Sequence, residues 1–306
     1  MSKRRELDED DVRIRPGRGK SRPRSKERPS HDDASPGFVT AVDRGRFTLV
    51  LGTPDDPGTE LYAVKARELG RKGVVVGDSV GVVGDLSGAT DTLARVVRVE
   101  PRVTSLRRSA DDDDPIERVL VANADQLVIV TALADPEPRP RMIDRCLVAA
   151  YDSGLDPLLV LTKSDLHPAD DLLAMYGDLG VPYVVTHRVK PHPLDLSDLA
   201  SRLAGRVSVM IGHSGVGKST LVNALVPDAD RAIGRVNLVT GRGRHTSTSA
   251  VALRLPGGGW VVDTPGVRSF GLAHVDPQRV IKAFPDLEAE RAHARGVDDP
   301  ATTGQS

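Results

Sequence analysis

Gly212-His-Ser-Gly-Val-Gly-Lys-Ser219 is a Gly-x4-Gly-Lys-Ser string between the apolar run Val207-Ser-Val-Met-Ile211 and the apolar segment Ser219-Thr-Leu-Val-Asn-Ala-Leu225. A strand that breaks into such a loop and re-enters as a helix constrains a chain strongly. The glycines let backbone N–H groups curl around phosphate oxygens, and the helix N-terminus adds favourable dipole charge. On this reading Gly212, His213, Ser214, Gly215, Val216 and Gly217 form the cradle. Lys218 reaches the β- and γ-oxygens, Ser219 is a Mg²⁺ ligand, and Thr220 follows in the first helical turn. The competing reading is an ordinary Gly-rich turn between strand and helix, which the flanking strand and helix patterns disfavour.

Two further strings fit a nucleotide. Trp260-Val-Val-Asp-Thr-Pro-Gly266 is an apolar strand that ends in Asp263, a carboxylate suited to the Mg²⁺ shell, with Gly266 able to offer its backbone N–H to a γ-phosphate. Gly257-Gly-Gly259 predicts a turn joining it to Ala250–Leu255 as an antiparallel hairpin. Thr162-Lys-Ser-Asp165 ends the apolar run Leu158-Leu-Val-Leu161. There Asp165 can accept from both guanine N1–H and the 2-amino group, while the stem of Lys163 covers the base and Ser164 lies between them. Adenine offers neither donor and would leave a carboxylate unpaired, so the string points to GTP and GDP rather than ATP. Thr162 stands where GTPases usually carry Asn, which predicts a shorter or weaker hydrogen bond toward the phosphate loop.

The order of the strings is unusual: Asp165 precedes Gly212 by 47 residues, whereas GTPases ordinarily place the base-reading string last. Strands need only be neighbours in space, so the same sheet can be built by a circularly permuted chain. Its surroundings support that sheet. Strand-like runs at 126–132, 157–161, 183–185 and 207–211 alternate with helix-length segments at 141–151, 169–179, 196–203 and 218–225, the pattern of a mostly parallel α/β sheet.

Before this region the texture differs. Runs at 37–42, 46–51, 60–65, 78–83 and 92–99 are short and β-rich, with Gly, Pro and Asp between them, and predict a five-stranded, OB-like barrel; an SH3-like barrel fits nearly as well. Phe38, Phe47 and Tyr62 are better placed as core residues than as stacking platforms for bases. Residues 36–104 carry nine basic and nine acidic side chains, so net charge gives the barrel no nucleic-acid signature. Residues 13–28 hold eight Lys/Arg against Glu27 alone and almost nothing apolar. They read as a solvated disordered arm or as an arm that pairs with phosphates. The expected organisation is a basic tail (1–35), the barrel (36–104), an acidic linker (105–120) around Asp111-Asp-Asp-Asp-Pro115, the permuted GTPase domain (121–273), and a short helix with a disordered tail (274–306).

Other classes are excluded by composition. Cys146 is the one cysteine, so disulfide frameworks and Cys-cluster metal sites are ruled out. No apolar run approaches the roughly 18 residues a membrane helix needs. The expectation is a cytoplasmic monomer without membrane contact.

Together these residues resemble the ribosome small-subunit-dependent, circularly permuted GTPases of the RsgA/YjeQ type. Beyond the shared motifs, the resemblance rests on Val121-Ala-Asn-Ala-Asp-Gln126, Ile143-Asp-Arg145, Gly241-Arg-Gly-Arg-His-Thr246 and Asp263-Thr-Pro-Gly-Val-Arg-Ser-Phe-Gly271. It implies a late assembly factor that binds the small ribosomal subunit and its rRNA and hydrolyses GTP there, with Mg²⁺. Many GTPases carry a water-orienting Gln after Gly266; here Val267 cannot hydrogen-bond water. The resemblance offers His245 instead, and Thr246 and Thr248 as residues closing on Mg²⁺, with Ser247 between them. Arg231, Arg235, Arg242 and Arg244, with no acid across 231–249, read as an rRNA-facing patch or a solvated loop. Relatives typically end in a Cys/His zinc knuckle after a Phe-Pro motif, here Phe284-Pro285. Beyond it this chain offers only His293 among such ligands, so zinc is not expected.

Two other readings stand beside the subunit-dependent enzyme. One is a GTP-binding, RNA-binding module with negligible hydrolysis; the other is a P-loop ATPase or kinase unrelated to ribosomes. Asp165 opposes the latter, and the presence of Lys218, Ser219, Asp263 and His245 together favours hydrolysis.

Overall fold

A computed structural model describes residues 31–70, 73–89, 92–108, 118–187, 194–227, 229, 250–265, 270 and 275–282. Five strands make the barrel: β1 (Ser35–Asp43), β2 (Arg46–Gly52), β3 (Pro57–Lys65), β4 (Ser79–Gly84) and β5 (Ala94–Val99). Neighbours β1–β2, β2–β3 and β4–β5 are antiparallel, β3–β5 is parallel, and β4 returns to β1 to close the circuit. Alternate residues point inward, as a period of two requires. Val39, Phe47, Leu49, Leu61, Ala63, Val80, Val82, Ala94 and Val96 fill the barrel.

Phe47 is therefore a core residue. Phe38, on the opposite face of β1, belongs to a different cluster. A bulge between Val39 and Ala41 bends β1 where Ala41 pairs with Val251, among the described residues the one register pair that joins the barrel to the rest of the sheet.

The segment expected to be an acidic linker is paired at both ends. β6 (Ser105–Arg108) and β7 (Arg118–Ala122) form an antiparallel hairpin, with Leu106 and Val121 opposite each other and buried. The acidic run itself lies outside the described residues.

This hairpin docks on the barrel through polar contacts. Asn123 Nδ2 donates to the Gly77 carbonyl at 2.9 Å and its Oδ1 accepts from Val103 N at 2.9 Å. Beside it the fully buried Asp78 carboxylate takes a fork from Arg102, Nε to Oδ1 at 2.7 Å and Nη2 to Oδ2 at 2.9 Å. That hydrogen bonding raises the Arg102 pKa, against the burial that lowers it. Arg102 is partly exposed but Asp78 is not, so removing Arg102 leaves a buried carboxylate short of donors. Arg102→Ala is expected to cost about 1–3 kcal/mol, read as a fall in the denaturant midpoint.

The second part alternates strand and helix: β8 (Gln126–Ala132), α1 (Pro140–Ser153), β9 (Asp156–Thr162), α2 (Asp170–Tyr176), β10 (Tyr183–Val185), α3 (Ser197–Leu203), β11 (Val207–Gly212) and α4 (Lys218–Leu225). The hairpin of β12 (Val251–Arg254) and β13 (Trp260–Asp263) follows, then α5 (Pro277–Lys282). The strand order is β10-β9-β8-β11-β13-β12, parallel except for β12.

Continuous apolar strands such as Leu127-Val-Ile-Val130 are covered on both faces. Ile143, Cys146 and Leu147 of α1 and Leu172 and Tyr176 of α2 pack on one face; Leu199 and Leu203 of α3 and Leu221, Val222 and Leu225 of α4 pack on the other. Burial pushes the Cys146 thiol up to about 12, so it is a packing residue and not a nucleophile. Tyr176 joins α2 to α1, donating to Asp144 Oδ1 at 3.0 Å and Pro140 O at 3.3 Å; burial and the Asp144 bond keep its phenol protonated.

From β8 the chain builds outward through β9 and β10, then returns to the other side of β8 as β11. That reversal creates a crevice at the carboxyl ends of β8 and β11, where open α/β sheets bind ligands.

Candidate functional site

The phosphate-loop string occupies this crevice. β11 ends at Gly212, the loop turns through Gly215 and Gly217, and α4 begins at Lys218. Gly217 caps the helix at φ +93°, a conformation costly to any side chain. At Gly212 an added Cβ would lie 2.6 Å from the Val130 carbonyl, so only glycine lets β11 close on β8 here. Gly212, His213, Ser214, Gly215, Gly217, Lys218, Ser219 and Thr220 line an open depression of about 460 Å³ with Asp263 and Pro265. Val216 is instead buried beneath the loop and packs with Leu221 and Val222.

The companion string meets the loop across the β11–β13 pair. Met210 and Asp263 are register partners, and Lys218 Nζ forms an ion pair with Asp263 Oδ1, each side chain only 14% exposed. Thr264 Oγ1 donates to Met210 O at 2.8 Å and fixes the end of β13. A phosphate entering the depression meets an ammonium already aligned by a carboxylate. Among the described residues no group of three or more His, Cys, Asp or Glu side chains gathers for a metal. A phosphate-loop Mg²⁺ needs no such cluster, because phosphate oxygens and water complete its shell. Ser219 and Asp263 both line the depression, where they could offer a hydroxyl and a carboxylate to such an ion.

The base-reading string is bound to the loop despite lying earlier in the chain. Thr162 Oγ1 donates to the Val216 carbonyl at 2.6 Å, a short bond from a buried side chain. Thr thus makes directly the link for which an Asn has a longer arm. Lys163 sits at φ +61° and its Nζ donates to the Asp135 carbonyl. Such strained backbone collects at ligand sites. Ser164 Oγ donates to the Thr186 carbonyl at 3.3 Å. Asp165 is exposed at the carboxyl end of β9 and does not line the depression. A base must lie beside the loop for Asp165 to reach it.

Two contributors were absent from the sequence reading. Asp135 and Pro136, after β8, abut both Lys163 and the loop: Pro136 Cδ is 3.5 Å from where a Cβ on Gly215 would stand. Thr186, after β10, braces Ser164. Both lie just beyond the carboxyl ends of parallel strands, where the crevice opens, Thr186 directly after β10 and Asp135 three residues after β8. His245, Thr246, Thr248 and Gly266 lie outside the described residues, as do the basic arm and Phe284-Pro285.

The site is tied to its surroundings at two points. Trp260, at the start of the strand that ends in Asp263, packs its ring 5.2 Å from that of Phe38 and donates Nε1–H to the Pro54 carbonyl of the barrel at 2.9 Å. Beyond Pro265, Phe270 is buried in the α1 cluster and Arg145 Nη1 donates to its carbonyl at 3.0 Å.

A crevice of this construction, in a sheet threaded in this order and preceded by a closed barrel, defines the circularly permuted P-loop GTPase fold. Two solved structures share it. YjeQ from Thermotoga maritima has a TM-score of 0.58 at 24% identity, covering 87% of this chain and 93% of that one. YloQ, a circularly permuted GTPase, has a TM-score of 0.59 at 20% identity, covering 87% and 83%. At these identities the likeness shows the fold alone.

Sequence gives the family. Residues 99–273 match RsgA GTPase, and the chain belongs to that family. The small ribosomal subunit biogenesis GTPase RsgA of Pseudomonas aeruginosa strain LESB58 is 41% identical over 209 residues, covering 66% of this chain and 60% of that protein. The protein of the same name from Pseudomonas fluorescens is 44% identical over 195 residues, covering 62% and 55%. The chain thus spans about 60% or less of the length of these curated relatives.

Proposed function

We propose that this protein binds and hydrolyses GTP and couples hydrolysis to the small ribosomal subunit during its assembly. The observation that carries the reading is the 2.6 Å bond from Thr162 to Val216, which holds the guanine-reading and phosphate-binding strings in one crevice although the chain visits them in reversed order. The names of the curated relatives support the subunit as partner.

In the proposed site Gly212–Thr220 cradle the phosphates, and Thr162, Lys163, Ser164 and Asp165 position the base. Mg²⁺ held by Ser219 and Asp263 would neutralise charge on the β- and γ-phosphates. Lys218 exchanges its carboxylate partner for phosphate oxygens, which frees Asp263 toward the metal side. Gly266 offers its N–H to the γ-phosphate. Thr246 and Thr248 close over the metal, and His245 orients or deprotonates the attacking water. The protein is read as a cytoplasmic monomer whose partners are the subunit with its rRNA, and GTP or GDP. No helix among the described residues is long and apolar enough to cross a membrane.

The test of the hydrolytic role is His245→Ala. General acid–base and water-orienting groups contribute about 10²–10⁴-fold. The turnover number should fall by at least about 10²-fold, while affinity for a non-hydrolysable GTP analogue stays within about twofold. An unchanged turnover would remove His245 from the mechanism.

A further inference from the structure

Strand β13 ends at Asp263, and the chain beyond it is held at two points. Thr264 is buried, and its Oγ1 donates to Met210 O at 2.8 Å. Six residues later Phe270 is buried in one cluster with Ile143, Cys146 and Leu147 of α1, and its carbonyl accepts from Arg145 Nη1 at 3.0 Å. Only residues 265–269 separate the two anchors, and Gly266, the residue assigned to the γ-phosphate, is the second of them. A segment so short keeps few conformations once both of its ends are held.

The anchors sit on different elements. Thr264 is fixed to β11, the strand that leads into the phosphate loop. Phe270 is fixed to α1, which packs on the sheet and is joined to α2 by the bond from Tyr176 to Asp144. The carbonyl of a buried residue needs a donor. A guanidinium supplies a charge-assisted one, stronger than a neutral bond. Downstream the chain returns to the same helix, where Asp276 N donates to Asp152 Oδ1 at 3.0 Å and Arg279 Nη1 lies 3.7 Å from that oxygen. Of these two ties to α1, Arg145 makes the one nearer to Gly266 along the chain.

We propose that Arg145 is a positioning residue for GTP hydrolysis: by holding the Phe270 carbonyl, it sets where the Gly266 N–H stands relative to the γ-phosphate. The inference rests on the proposed GTPase reading and adds to it a residue that does not line the depression. Its consequence is selective. GDP has no γ-phosphate, so loss of the anchor should spare GDP binding while it weakens GTP binding and slows turnover. An arginine that only supports the fold would affect both nucleotides alike.

The test is nucleotide titration and steady-state hydrolysis with variants of the full chain. Arg145→Met keeps an unbranched apolar stem and deletes the donors. Its GDP affinity should stay within about twofold of the unaltered chain. Its affinity for a non-hydrolysable GTP analogue should fall by about fivefold or more, and kcat by at least about tenfold. Arg145→Lys keeps the charge and a donor but loses the planar fork. As the gentler change it should show the same selectivity at smaller size, so the proposal can be tested on it alone if Arg145→Met folds poorly. Asp152→Ala cuts the farther tie and should leave kcat within about twofold. Equal losses for GDP and the GTP analogue, an unchanged kcat in both Arg145 variants, or an equal fall in Asp152→Ala would overturn the proposal. An unaltered chain that neither binds guanine nucleotides nor hydrolyses GTP would overturn the proposed function with it. Hydrolysis by the unaltered chain beside indifferent Arg145 variants would overturn this inference alone.

Discussion

Lys218→Ala is expected to raise the dissociation constants for GTP and GDP by at least about 100-fold, about 2.7 kcal/mol or more. The size follows from what Lys218 touches. In the structure its ammonium is paired with Asp263, and both side chains are largely withdrawn from water. When phosphates bind, the ammonium exchanges one anionic partner for another. Without Lys218 the phosphates lose a cation and face an unpaired carboxylate in the same small depression. Repulsion therefore adds to the lost attraction. The pair also predicts coupling: with Mg²⁺ chelated, Asp263→Ala in the Lys218→Ala background should recover part of the GDP affinity, because the unpaired carboxylate is gone. Calorimetric titration of all four forms measures both effects. Tight GTP binding by Lys218→Ala would remove the loop from the binding site, and strictly additive losses would mean the ion pair has no part in binding.

The second large effect is on base choice. Asp165→Asn replaces a carboxylate that accepts twice by an amide that accepts once and donates. Hydrogen bonds to a charged group are worth about 1.5–3 kcal/mol each, so discrimination of GTP over ATP should fall by about 10²-fold or more, measured by competition against a labelled guanine nucleotide. Xanthosine triphosphate, with a carbonyl in place of the 2-amino group, should gain affinity because the new amide can donate to it. Thr162→Val tests the support of the same site: it deletes the bond to Val216 while keeping the shape of a buried side chain. It should weaken GTP binding without changing the GTP-to-ATP ratio. Unaltered base discrimination in Asp165→Asn would count against its assigned role.

Much of this arrangement was legible in the sequence because burial leaves a simple trace. Strand β8 and helix α4 fall at the bounds their apolar runs predict; for β8 this is because a parallel strand covered on both faces must be apolar throughout. The barrel strands were legible through alternation and through the Gly, Pro and Asp residues that break them. β6 and β7 were not, because four- and five-residue strands with Arg107, Arg108 and Arg118 around Leu106 and Val121 look like a charged connection until Leu106 and Val121 pair. The contacts that assemble the site were also hidden. Lys163 meets Asp135, and Ser164 meets Thr186, only because separate strands end side by side. Trp260 reads as an ordinary apolar strand residue, yet its indole N–H bonds a carbonyl 206 residues away in the barrel. Local pattern reports which side chains are buried; it is silent on which loops the sheet brings together.

The barrel contact gives the account a mechanical consequence. Trp260 and Asp263 share one short strand, so the barrel grips the element whose end faces the proposed metal. The pairing of Ala41 with Val251 grips the adjacent strand of the hairpin. These contacts join the barrel to the strand that ends at the nucleotide crevice, a packed route that the proposed stimulation could use.

The most direct test of the central claim is steady-state hydrolysis of GTP, with ATP as control, in the presence and absence of purified small ribosomal subunits. The account predicts slow turnover of GTP alone, strong stimulation by the subunit, loss of that stimulation in His245→Ala, and no comparable hydrolysis of ATP. Tight GTP binding with a rate indifferent to subunits would contradict it and leave a GTP-binding module on the same fold. Equal hydrolysis of ATP would contradict the guanine assignment itself.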